Sequence, residues 1–305
     1  MRTLSTALLP AALLGCLCLP VQLQAQTPTA IPAAITTDPA PDKAHPAAFD
    51  TFQLPSHGAL LNAFVYIAAG AGPHPTVILL HGFPGNEKNL DIAQTLRRAG
   101  YDVLFFNYRG SWGSPGNFSF TRAIEDVHSA IAYLRDPANA TRLRVDSKQI
   151  ILIGHSMGGF MARYAGAQDP SIKAVGLISA ADMAVDKIET IPSAYRNRAV
   201  DPIAKAFAEE GLAPLAGCTP KSLAEEAVAH ADTWNIPKLA PELASRPVLD
   251  LTSDDGLAPS NDAFVAALKK AGSTHVTTQH FATDHSYSDQ RIALQASILN
   301  WLTSL

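Results

Sequence analysis

Cysteine is nearly absent: three occur in 305 residues, and two of these, Cys16 and Cys18, lie close to the N-terminus. If that end is removed, Cys218 stands alone and an intramolecular disulfide is excluded. Cys218 sits in a Gly-Cys-Thr-Pro stretch with no adjacent histidine, the setting of an inert thiol rather than a nucleophile. Charge is also scarce, at 16% of residues with a net charge of -4 and no run of lysine or arginine. That balance argues against nucleic acid or an anionic membrane surface as the main partner and suits a small neutral or mixed-charge substrate. No clustered His, Cys and Glu set with metal-ligand spacing is present, so neither metal nor cofactor is expected. No internal repeat is visible, and the one long apolar run, residues 4–19, is short for a bilayer span.

What is present describes one large globular domain, because 47% of the residues are hydrophobic and the chain is long enough to bury a sizeable core. Arg2 followed by the apolar, small-residue-rich stretch 4–19 reads as an export signal. Two cleavage positions compete. One follows Ala25 and gives a secreted or periplasmic chain; the other precedes Cys16, where Leu13-Leu14-Gly15-Cys16 resembles a bacterial lipoprotein box. The apolar Leu17 and Leu19 after Cys16 favour Ala25. Residues 1–25 are therefore expected as a signal peptide, 26–46, rich in Pro, Ala and Thr, as a flexible tether, and 47–305 as the folded domain.

Within that domain apolar runs alternate with amphipathic stretches, the pattern of an α/β fold: a mostly parallel twisted sheet with helices on both faces. Strands are expected at 60–69, 76–80, 103–106, 150–153, 174–178, 248–251 and 276–281. Ile124, Val127, Ile131 and Leu134 share one helical face, with Glu125, Asp126 and Arg135 off it. A closing helix over 289–302 places Ile292, Ala296, Leu299 and Leu302 on one stripe. The alternation breaks between about 183 and 245, a segment of short helices punctuated by Pro192, Pro202, Pro214, Pro220, Pro237 and Pro241. An insertion of this length reads as a short helical cap over the site.

The chemistry is carried by Gly154-His155-Ser156-Met157-Gly158-Gly159, which follows the apolar run 150–153 and opens a helical stretch. A serine hydroxyl is a weak nucleophile unless it is held exposed beside a base, and a tight strand-to-helix turn does that holding. In this arrangement the acid and then the base follow the serine in the chain. Asp254 and Asp255, after the strand 248–251, compete for the acid role, with Asp250 a third candidate inside that strand. The base candidate is His285, between the last strand and the closing helix, with His280 a rival expected to face solvent or pack. His155 is expected packed under the turn. Two backbone N–H groups complete the set as an oxyanion hole: Met157, directly after the serine, and Phe83 in His81-Gly82-Phe83-Pro84-Gly85, since Pro84 has none to offer.

Together these segments resemble the α/β-hydrolase superfamily from about Phe49 onward. Asn107-Tyr108-Arg109-Gly110-Ser111-Trp112-Gly113-Ser114 is similar to a loop of the branches related to prolyl oligopeptidase and dienelactone hydrolase. Aligned on that superfamily's usual acid loop, a short apolar step before a proline, Asp255 rather than Asp254 takes the acid position. The resemblance implies a metal-free serine hydrolase with a catalytic set of Ser156, Asp255 and His285 and an acyl-enzyme intermediate. A small carboxylic ester is the first substrate class expected, a short peptide the alternative, and a binding protein without turnover the third reading. Glu209-Glu210 reads as a solvated helix face rather than an amine clamp.

Overall fold

The computed structural model describes residues 31–184 and 188–305. The expected signal, 1–25, and the start of the tether lie outside the described residues. Eight strands form one sheet: β1 (Ala48–Ser56), β2 (Ala59–Ile67), β3 (His74–Leu80), β4 (Asp102–Phe106), β5 (Val145–His155), β6 (Ala174–Ile178), β7 (Val248–Ser253) and β8 (Val276–Phe281). Their order is β1-β2-β4-β3-β5-β6-β7-β8. The β1–β2 and β2–β4 pairs are antiparallel and the rest parallel. The helices are α1 (Ala33–Thr36), α2 (Leu90–Arg98), α3 (Phe120–Arg135), α4 (Pro137–Leu143), α5 (Met157–Gln168), α6 (Val200–Glu209), α7 (Pro220–Ala229), α8 (Ala240–Leu243), α9 (Ala258–Lys270) and α10 (Arg291–Thr303). The architecture is the expected mostly parallel sheet between helical layers.

Strand alternation divides the core in two. Ile78, Leu80, Ile150 and Leu152 point to one face and meet Val127 of α3, Phe160 of α5 and Phe264 of α9. Val77, Leu79, Ile151 and Ile153 point to the other and meet Leu96 of α2 and Ile298 of α10. The expected strands are all present. β1, which had no counterpart in the expectations, is a half-exposed edge strand containing Pro55, and an edge is where a sheet tolerates proline. It joins β2 through His57 and Gly58, both at positive φ (45° and 82°), as a two-residue hairpin requires.

Three expectations are corrected. Residues 33–46 are not a loose tether along their whole length: the Arg98 guanidinium donates to the carbonyl oxygens of Ala34 and Ile35, and Gly70 N–H donates to His45 O. Asp126 is not off the buried face of α3. It is fully buried, where its carboxylate accepts from Arg109 N–H (2.8 Å), Arg109 Nε (2.7 Å) and the Ser56 hydroxyl (2.6 Å). Ile292 is 54% exposed, and α10 instead buries Leu294, Ile298, Leu299, Trp301 and Leu302.

Segment 183–245 does carry short helices. Pro202, Pro220 and Pro241 occupy the first turns of α6, α7 and α8, where an N–H is unsatisfied in any case. Glu226 of α7 fastens this segment to the domain by accepting from Phe120 N–H (3.0 Å) and Thr121 N–H (2.8 Å) at the start of α3. A carboxylate there also complements the positive end of the helix.

Candidate active site

Ser156 stands between β5 and α5 with φ 56° and ψ -124°, a conformation that side-chain-bearing residues rarely adopt. The neighbouring glycines make this turn possible. A Cβ on Gly154 would lie 1.9 Å from Gly158 O, and one on Gly158 would lie 2.1 Å from Leu80 O. Backbone hydrogen bonds then fix the turn: Ser156 N–H donates to Ile178 O, while Ser156 O accepts from Gly159 N–H and Ala181 N–H, each at 2.9 Å.

The His81-Gly82-Phe83 loop runs directly past the serine. A Cβ on Gly82 would come within 2.9 Å of Ser156 Cβ. Phe83 and Met157, expected to provide oxyanion donors, line one cavity of about 510 Å³ together with Ser156, Asp255 and His285. The His81 ring is buried, donates from Nδ1 to Gly82 O at 2.8 Å, and is pushed down to about 4 by burial, so it is neutral at ordinary pH.

On the other side of the cavity His285 Nδ1 lies 2.7 Å from Asp255 Oδ2. Because the carboxylate accepts there, the proton of a neutral imidazole sits on Nδ1, leaving the lone pair on Nε2. Asp255 Oδ1 also accepts from Leu257 N–H at 2.9 Å. Burial alone would raise this carboxyl, but the hydrogen bonds from His285 and Leu257 outweigh it, and Asp255 is held well below the ordinary carboxylate range. Its neighbour is placed otherwise. Asp254 is exposed and bonds to His280 Nε2 at 3.0 Å on the sheet edge, so these two form a surface pair apart from the cavity lining. Asp250 is buried in β7 and likewise absent from the lining.

The sequence reading did not find the groups that hold the His285 loop. His155, expected to pack under the serine turn, is buried and donates from Nε2 to His285 O at 2.8 Å, with the two rings 4.6 Å apart. Burial, helped by the nearby His285, pushes His155 down to about 4, so it serves as a neutral donor. Arg291 Nη1 donates to Ser286 O at 2.9 Å, and its guanidinium is anchored on Asn89 and Asp91. The only sequence signal for these roles is position, within the turn for His155 and at the start of α10 for Arg291.

The apolar side of the cavity is formed by Phe83, Met157, Met183, Phe207 and Leu257. Phe207 of α6 meets Phe83 at a ring separation of 5.5 Å, so segment 183–245 supplies part of the wall. Glu209 and Glu210 are both exposed, as expected of a solvated face; Glu209 stands beside Lys205, and Glu210 also lines the cavity. Among the described residues, no group of three or more His, Cys, Asp or Glu side chains could hold a metal ion, and no helix is long and apolar enough to cross a membrane.

Residues 75–216 match the family model of the alpha/beta hydrolase fold. A Mycobacterium tuberculosis protein of uncharacterised activity is 28% identical over 126 residues, 41% of this chain and 43% of its own length, so the match spans less than half of that relative. The fold is similar to that of a hyperthermophilic esterase from the archaeon Pyrobaculum calidifontis, with a TM-score of 0.63, 20% identity, and 86% of this chain and 87% of the esterase covered. It is also similar to the Pyrococcus horikoshii acylaminoacyl peptidase, with a TM-score of 0.61, 16% identity, and 84% of this chain but 41% of the peptidase covered. The sheet order and the strained serine turn agree with the family model in giving the chain the α/β-hydrolase fold.

Proposed function

We propose that this protein is an exported serine hydrolase that cleaves carboxylic esters through an acyl-enzyme on Ser156. The observation that carries the reading is the 2.7 Å hydrogen bond between His285 and Asp255 at the rim of the cavity that Ser156 also lines. In this reading His285 Nε2 removes the Ser156 hydroxyl proton as Oγ bonds to the ester carbonyl carbon. The carbonyl oxygen becomes an oxyanion that accepts from the Met157 and Phe83 N–H groups. The intermediate collapses, the carbon–oxygen bond to the alcohol breaks, and His285 returns the proton to the departing alcohol. Water then attacks the acyl carbon with His285 again as base, and the acid leaves from a restored Ser156. Asp255 holds the imidazole in the tautomer this needs and stabilises the imidazolium.

Ester rather than amide cleavage follows from sufficiency. An alcohol leaves with modest help, whereas an amine must be protonated as it leaves and starts from a resonance-stabilised ground state. The lining by Phe83, Met157, Met183, Phe207 and Leu257 suits an apolar acyl or alcohol group. One observation favours a second reading: Glu210 in the cavity wall is a carboxylate that a peptide amino terminus could meet. The test is kcat/KM of the purified chain on matched ester and amide substrates, with Ser156→Ala as the blank. Faster ester turnover that vanishes in Ser156→Ala is expected. Full activity in Ser156→Ala contradicts the mechanism, and faster amide turnover promotes the peptidase reading.

A further inference from the structure

Behind Asp255 lies a set of buried hydroxyls that the ester chemistry above leaves unused. Ser179 directly follows β6, Ser253 ends β7, and Tyr287 belongs to the His285 loop. Ser179 Oγ is 2.8 Å from Ser253 Oγ and 3.1 Å from Tyr287 Oη, and no more than 1% of any of the three residues is exposed. The hydroxyls of Ser179 and Ser253 help to hold the Asp255 carboxyl low against its burial. Burial pushes the Tyr287 phenol up to about 12, so it remains an O–H donor at the head of the chain.

Ser179 has φ 42° and Tyr287 φ 55°, the left-handed region that favours glycine. The Ser179 backbone is fixed by its N–H, which donates to Leu251 O at 2.7 Å. Glycine would meet the backbone requirement at less cost, and the hydroxyl is what it would forfeit. Tyr287 also ties the loop of the base to the strand ends beneath the acid.

We propose that Tyr287, Ser179 and Ser253 form a hydroxyl relay that positions Asp255 and shares its charge, making them positioning residues for the reaction at Ser156. This rests on Asp255 being the acid in the reading above. The other charged or titratable groups facing the pair are His155 on β5, Asp250 on β7, Arg291 on α10 and Asp284 beside His285. All of them remain in the variants below. Removing a donor leaves the Asp255 charge less shared, which favours the imidazolium of His285 and keeps the base protonated to higher pH.

The experiment measures pH profiles of kcat and KM, together with Tm, for Ser179→Gly, Ser253→Ala and Tyr287→Phe. Ser179→Gly is the informative variant, because it relieves the positive φ while removing the hydroxyl. We expect the acid limb of kcat/KM to move up by about half a pH unit. Below neutral pH, kcat should fall roughly 3- to 10-fold with KM unchanged. Ser179→Gly should keep its Tm within a few degrees. Acid limbs unmoved in all three variants, or a loss of Tm alone, overturn the relay. Asp255→Asn separates the two levels: if it stays active, the reading of Asp255 and the relay both fail. If it is inactive while the hydroxyl variants keep their limbs, only the relay fails.

Discussion

Asp254 and Asp255 are adjacent in the chain and opposite in circumstance: one is exposed beside His280, the other has a side chain 5% exposed against His285. The proposed mechanism needs an acceptor at His285 Nδ1, and only Asp255 is bonded there. Asp255→Asn is therefore expected to lower kcat by about three to four powers of ten through the wrong imidazole tautomer, while Asp254→Asn should change it less than about threefold. Steady-state kinetics on one ester decides between them, and a reversed order contradicts the assignment. The candidate residues themselves were legible, because Ser156, Asp255 and His285 each follow a strand in the required order. The partners that hold them were not. A serine such as Ser179 or a tyrosine such as Tyr287 carries no sequence mark of a positive φ, and His155 is joined to His285 O by folding across 130 positions.

At the scale of elements, continuous apolar runs made β3, β5, β6 and β7 readable, since strands covered on both faces need little alternation. β1 was unreadable for the opposite reason: it is half exposed, and its pairing with β2 supplies what its composition does not. Asp126 shows the limit of helical periodicity. The pattern counts a carboxylate as a surface residue, and it is Arg109, 17 positions earlier in the chain, together with Ser56 that offsets the cost of burying it. Segment 183–245 was legible as an insertion but not as a wall. Phe207 now gives it a testable role, because it lines the cavity and packs on Phe83 and Phe120. Phe207→Ala is expected to shift the kcat/KM ratio of bulky to small acyl esters by about tenfold in favour of the bulky ones. An unchanged ratio in a folded, active variant would assign α6 to packing alone.

Across the whole molecule, every element of the proposed site lies at the carboxyl end of a parallel strand. Gly82 and Phe83 follow β3, Ser156 follows β5, Asp255 follows β7 and His285 follows β8. Open α/β sheets collect their sites at this edge because the strands end together there and the connecting loops converge. The sheet order carries β3 beside β5 and β7 beside β8, so segments as far apart in the chain as Phe83 and His285 share one cavity. The central claim is that Ser156 is acylated and deacylated in each turnover. It is tested most directly by mixing the enzyme with a chromogenic ester, quenching during turnover, and mapping the acyl mass by peptide mass spectrometry. The account predicts a transient acyl group on the peptide containing Ser156, formed and lost at rates that sustain kcat. Ester turnover with no acyl-enzyme, or with the acyl group on another residue, would contradict it.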